Sequence, residues 1–233
     1  MSQFGLRALP LWAALLPFIT FNVCYLVAVS LEHVSACIPY LAGCTSISST
    51  GRIAPESLIF KAGALPSAVI FVLFWFRCST FLQLGGQAGS RAIALRVIAI
   101  LVGLSLVLHA VTLGLSDEPY PALRRKAIDG FALSSLAAQV LFVIAYRPMR
   151  VDDTRRLFRW LVAFSVALPA LGFAAEVAKW VGAPRHAANN IVAWNASAFM
   201  CAYYIVVGRV WQRHGFCSQF SITSGGRAAS PSE

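Results

Sequence analysis

Six apolar runs, each about as long as a bilayer is thick, dominate the sequence at residues 8–30, 57–82, 92–114, 128–146, 158–178 and 189–211. A helix needs about 20 residues to cross the hydrocarbon core. In lipid its backbone polar groups must be satisfied within the segment. The predicted fold is therefore all-α: a bundle of six transmembrane helices over residues 1–217. A Ser/Gly/Ala-rich, disordered tail is expected over 218–233. Charged residues make up only 12% of the chain, against about a quarter in soluble domains. The first run follows one basic residue, Arg7, as a signal peptide would. It is longer than such a peptide's apolar core and five more runs follow, so it is read as an anchor.

Charge predicts the orientation. With the N-terminus in the cytoplasm, the inner segments hold Arg7, Arg77, Arg91, Arg96, Arg147, Arg150, Arg155, Arg156, Arg159, Arg209, Arg213 and Arg227. The outer segments hold Arg52, Lys61, Arg124, Arg125, Lys126, Lys179 and Arg185. The larger share lies inside, which places both termini in the cytoplasm and a long first loop outside. The net charge of +10 is then a topology signal with an added attraction to anionic lipid. Nucleic acid is excluded as a partner, because the basic residues are split between the two faces. A plasma or inner membrane is the expected host.

On this topology the polar residues gather at one end. Asn22, Glu56, Lys61, His109, Asp129, Glu176, Lys179, Asn189, Asn190 and Asn195 all fall toward the outer ends of their runs, while Ser134, Ser135, Gln139 and Ser165 lie elsewhere. Ionisable groups at membrane depth cost about 2.5–3.5 kcal/mol each, so they face water or one another. The expected arrangement is an outward-facing polar chamber, with the loop "YLAGCTSISSTGRIAPESLIF" (residues 40–60) folded over it as a lid.

Pro55 suits a helix start and Glu56 its first turn, where the dipole favours an acid. Lys61 either pairs with Glu56 or reaches to head groups. His109 is either a hydrogen-bonded packing residue or a functional imidazole. Glu176 and Lys179, three apart, are expected to form an interfacial ion pair. Asp152 or Asp153 is expected to cap the helix that follows. Pro17, Pro66 and Pro169 interrupt three runs and free a carbonyl in each. Cys37 and Cys44 share the first loop and are either two thiols or a small disulfide loop. His33, His109 and His186 share the outer side without metal-ligand spacing, and no metal or other cofactor is expected. No GxSxG serine elbow is present. The sequon at Asn195 lies inside an apolar run and is discounted.

"YLVAVSLEHVSACIPY" followed by "ISSTGRIAPESLIF" resembles the first-loop signature of the Frag/DRAM/Sfk family of six-pass membrane proteins. The same fold opens the Cwh-type cell-wall and GPI-lipid-remodelling proteins. The matching positions are Tyr25, His33, Val34, Pro39, Tyr40, Ile47, Ser48, Thr50, Gly51, Pro55, Glu56, Ser57, Ile59 and Phe60. An additional "LAGCTS" separates Pro-Tyr from Ile-Ser. The resemblance implies a protein that acts on or senses membrane lipid. It carries no catalytic residues over to this chain.

Three functional readings stand open at this stage. The first is a lipid-handling protein whose head-group site draws on His33, Ser48, Thr50, Arg52, Glu56, Lys61, His109, Asp129, Glu176, Asn190 and Asn195. The second is a lipid-remodelling enzyme, by acyl or head-group transfer or hydrolysis, with His109 as base and Glu56 or Asp129 as its partner. The third is a scaffold or regulator whose loop binds another membrane protein.

Overall fold

The computed structural model describes residues 8–182 and 184–216. Arg7, Arg227 and the tail expected over 218–233 lie outside the described residues. Among those described, six long helices carry the apolar runs: α1 (Leu9–Ser30), α4 (Glu56–Leu84), α5 (Gly89–Thr112), α6 (Tyr120–Tyr146), α7 (Arg155–Trp180) and α8 (Arg185–Arg213). Two one-turn helices, α2 (Pro39–Ala42) and α3 (Ile47–Thr50), lie in the first loop. All six long helices are apolar enough and long enough to span a membrane, which makes the chain an integral, multi-pass membrane protein.

Several helices outrun their apolar segments. α6 begins at Tyr120 and takes in the basic run "LRRKAID". Arg and Lys are good helix formers, and their long stems keep the charge at the interface while the backbone continues inward. Pro17, Pro66 and Pro169 lie inside helices that run on past them. Glu56 lies in the first turn of α4 as expected, with Pro55 at the N-cap position. One local expectation is corrected. Neither Asp152 nor Asp153 caps α7: both sit in a 3-10 turn, and Thr154 takes the N-cap position with no side-chain cap bond. The two acids instead pair with Arg155 (2.7 Å) and with Arg213 of α8 (2.9 Å).

The long helices form a ring. α1 packs between α4 and α8, α5 between α4 and α6, and α7 chiefly against α8; the α6–α7 seam is the thinnest contact between neighbours. Lipid tails are as apolar as leucine, so shape decides which helices meet. Gly63 lets α4 approach α1 so closely that a Cβ there would lie 2.0 Å from Thr20 Oγ1. Gly103 does the same for α5, where a Cβ would lie 2.4 Å from Val72 Cγ2. The interior is a column of rings from α4, α6 and α8. Phe74 meets Tyr204 edge-on at 4.8 Å, Phe142 stacks on Tyr146 at 5.9 Å, and the Tyr203 hydroxyl donates to the Gln139 carbonyl at 3.1 Å.

The end where α1 begins and α8 finishes is tied by polar contacts. Arg96 of α5 donates to Ser79 and Gln83 of α4. His214 Nε2 lies 2.9 Å from the Tyr146 hydroxyl. Burial pushes the His214 imidazole below its ordinary 6.5, so the folded chain binds that proton less readily than the unfolded chain. The stability that follows is present above about pH 6.5 and is lost as pH falls below it. The melting temperature in detergent is expected to drop between pH 7.5 and 5.5. His214→Gln is expected to flatten part of that profile.

Candidate functional site

The first loop is a strapped cap. Cys37 and Cys44 are joined in a disulfide that encloses α2. Gly43 follows α2 in the left-handed region at φ 60° and returns its N–H to the Pro39 carbonyl. Ser46 caps α3 by accepting from the Ser49 N–H at 3.0 Å. Each turn thus satisfies its own chain ends, but the remaining carbonyls need outside donors at this depth.

α1 and α8 supply those donors. On α1, the Tyr25 hydroxyl donates to the Cys37 carbonyl (2.5 Å) and accepts from the Cys37 N–H (2.8 Å), and Asn22 bonds the Tyr40 hydroxyl (3.1 Å). On α8, Asn190 donates to Gly43 O (2.8 Å), Trp194 Nε1 to Thr45 O (2.9 Å) and Asn195 to Tyr40 O (2.8 Å). Asn190 and Asn195, taken from sequence as head-group residues, are engaged in holding the loop. Beneath the cap the packing is apolar: Cys24, Phe60, Ala64, Ala110 and Leu113 form a cluster against which Ile47 and Phe21 pack.

Glu56 lies at the edge of that cluster, 1% exposed. Its Oε1 is 2.6 Å from His33 Nδ1, whose side chain is 31% exposed. Its Oε2 is buried without a hydrogen-bond partner among the described residues. Glu32 adopts a φ of 59° just before His33, in a region that non-glycine residues seldom visit. That turn follows the end of α1 and is where the chain leads into the residue that meets Glu56. The expected partnership of His109 with Glu56 or Asp129 is not formed among the described residues; His33 is the imidazole at Glu56, and His109 faces the Arg124 carbonyl.

His109 is buried, with Nδ1 3.3 Å from the Arg124 carbonyl and its ring 6.1 Å from that of Phe60. Arg124 in turn donates from Nη1 to the carbonyls of Thr112 (3.2 Å) and Leu115 (3.1 Å), closing the end of α5. Arg52 lies beside this end of α5, its carbonyl 3.0 Å from where a Cβ on Gly114 would sit, and Arg125 follows Arg124 on α6. None of the three pairs with a carboxylate among the described residues. Sequence reasoning placed Arg52 in the site and passed over Arg124 and Arg125, whose signal was the run "LRRKAID".

The other expected site residues do not converge on one chamber. Ser48 bonds within the loop to Ser46, and the Thr50 hydroxyl donates to Ile47 O. Lys61 is half-buried and Asp129 exposed, and neither enters an ion pair among the described residues. Glu176 pairs with Lys179 along α7 at 2.5 Å. Among the described residues no group of three or more His, Cys, Asp or Glu could hold a metal ion. No family model, curated protein or solved structure matches the chain.

Proposed function

We propose that this protein binds membrane lipid by its phosphate at the disulfide-closed end, without transforming it. The observation that carries the reading is that Arg52 of the loop lies against the end of α5 where Arg124 of α6 is fastened, with Arg125 next to it in the chain and no carboxylate partner for any of the three among the described residues. Like charges held together call for a counter-anion, and guanidinium binds phosphate through paired, charge-assisted hydrogen bonds. At a bilayer surface the abundant anion of that shape is a lipid head group. Arg124 is fastened to α5, so the exposed Arg52 and Arg125 carry the variable part of the contact. The positive-inside count supports placing this end outside the cytoplasm, and the first-loop likeness to lipid-handling proteins points the same way.

The test is lipid mass spectrometry of the detergent-purified protein. Arg52→Gln/Arg125→Gln is expected to weaken retention of one equivalent of anionic lipid about tenfold, the equivalent of one charge-assisted hydrogen bond of roughly 1.5 kcal/mol. Unchanged lipid content would overturn the reading.

A second reading rests on the His33–Glu56 contact. A half-exposed imidazole held through Nδ1 by a buried carboxylate is the arrangement of a general base. Under that reading His33→Gln abolishes turnover of a bound lipid and leaves its retention intact. Under the binding reading no turnover exists to abolish.

A further inference from the structure

The opposite end of the bundle, where α1 begins and α8 finishes, has a separate arginine problem. Asp152 takes Arg155 and Asp153 takes Arg213, while Arg150 lies over the Phe158 ring at 5.1 Å. Arg156 and Arg159 have no acidic partner among the described residues, and both are exposed. Their position makes this costly. Arg156 is in the first turn of α7, whose N-cap makes no side-chain bond. The positive end of a helix dipole disfavours a cation there.

The two arginines line a cleft of about 270 Å³ with Trp160 and Ala163. These four residues recur at helical spacing along one face of α7, so the cationic rim passes directly into an apolar floor. Ala163 leaves space where a larger side chain would fill it. Trp160 stacks on Phe164 at 5.8 Å, and Phe164 meets Phe199 of α8 at 5.9 Å, so an aromatic wall extends from the rim along the helix pair. The volume falls short of the roughly 300–1,000 Å³ of sites that enclose whole small molecules, and it matches a head group whose tails stay in the bilayer.

We propose that this cleft is a second lipid site, independent of the first, that binds the phosphate of an anionic phospholipid. Arg156 and Arg159 take the phosphate oxygens, Trp160 borders the glycerol region and the Phe164–Phe199 wall guides an acyl chain. The aromatic continuation commits the site to a membrane lipid over a free anion. If both termini are cytoplasmic, as the charge distribution indicates, the ligand comes from the leaflet richest in anionic lipid.

The experiment is native mass spectrometry of the full chain in maltoside micelles, titrated with phosphatidylglycerol and, separately, with phosphatidylcholine. The intact protein is expected to retain phosphatidylglycerol at least tenfold better. Arg156→Gln/Arg159→Gln and the charge-preserving Ala163→Phe are each expected to remove one bound equivalent. Arg155→Gln and Arg52→Gln/Arg125→Gln are expected to leave that equivalent in place, which separates this site from the one at the other end. Monodisperse elution and an unchanged helical circular dichroism spectrum show that each variant is folded. Equal retention of the two lipids, an unchanged count in both cleft variants, or full displacement by millimolar inorganic phosphate would overturn the proposal.

Discussion

Gly43→Ala is expected to unseat the first loop from α8. The residue sits at φ 60°, and a Cβ there would lie 2.2 Å from the Ala187 carbonyl oxygen and 2.9 Å from Ile191 Cγ1. The first of these is backbone and cannot rotate away. The left-handed conformation alone costs a non-glycine residue about 1–2 kcal/mol, and forced overpacking adds about 1–3 kcal/mol. Any retreat of the loop also lengthens the Asn190 bond to Gly43 O and the Trp194 bond to Thr45 O. The expected result is a loss of about 2–5 kcal/mol, read as a lowered melting temperature in detergent with faster amide exchange across residues 39–50. A variant as stable as the parent would show that the loop is not seated on α8.

The second large effect is expected at His33. Alanine there leaves the Glu56 carboxylate buried with neither oxygen bonded. Loss of a hydrogen bond to a charged group costs about 1.5–3 kcal/mol, and the partial exposure of His33 holds the expected value toward the lower end. Adding Glu56→Gln to His33→Ala is expected to return much of the loss, because the orphaned charge disappears. The double-mutant cycle by thermal melting measures that coupling directly. Equal melting temperatures for His33→Ala and the parent would show that the pair contributes nothing to stability.

These two sites show which parts of the structure were legible in the sequence. Membrane-spanning helices announce themselves locally, through uninterrupted apolar length, and all six segments correspond to helices. Their ends were less legible: hydropathy falls at Arg124 and Arg125, but helix propensity does not. The i,i+3 pair of Glu176 and Lys179 could be read from spacing. The pairing of Glu56 with His33 could not, because it spans 23 residues and follows a left-handed turn at Glu32. The clustering of polar residues at one end of the bundle was visible as composition. Whether Asn190 and Asn195 face a water-filled chamber or loop carbonyls depends on where the loop lies. Ile47 and Phe60 stood out only as positions of the first-loop signature, and nothing in the sequence marked them as the apolar floor under the cap.

The straps on the first loop also bear on how the protein is made. The acceptors at Gly43, Thr45 and Tyr40 meet their donors only 147, 149 and 155 residues later in the chain. At ribosomal speeds of about 5–20 residues per second, those carbonyls wait about 7–30 seconds for α8 to be synthesised. Until then those carbonyls lack the donors that seat the cap, and a product truncated before α8 never gains them. Seating of the first loop therefore waits on α8.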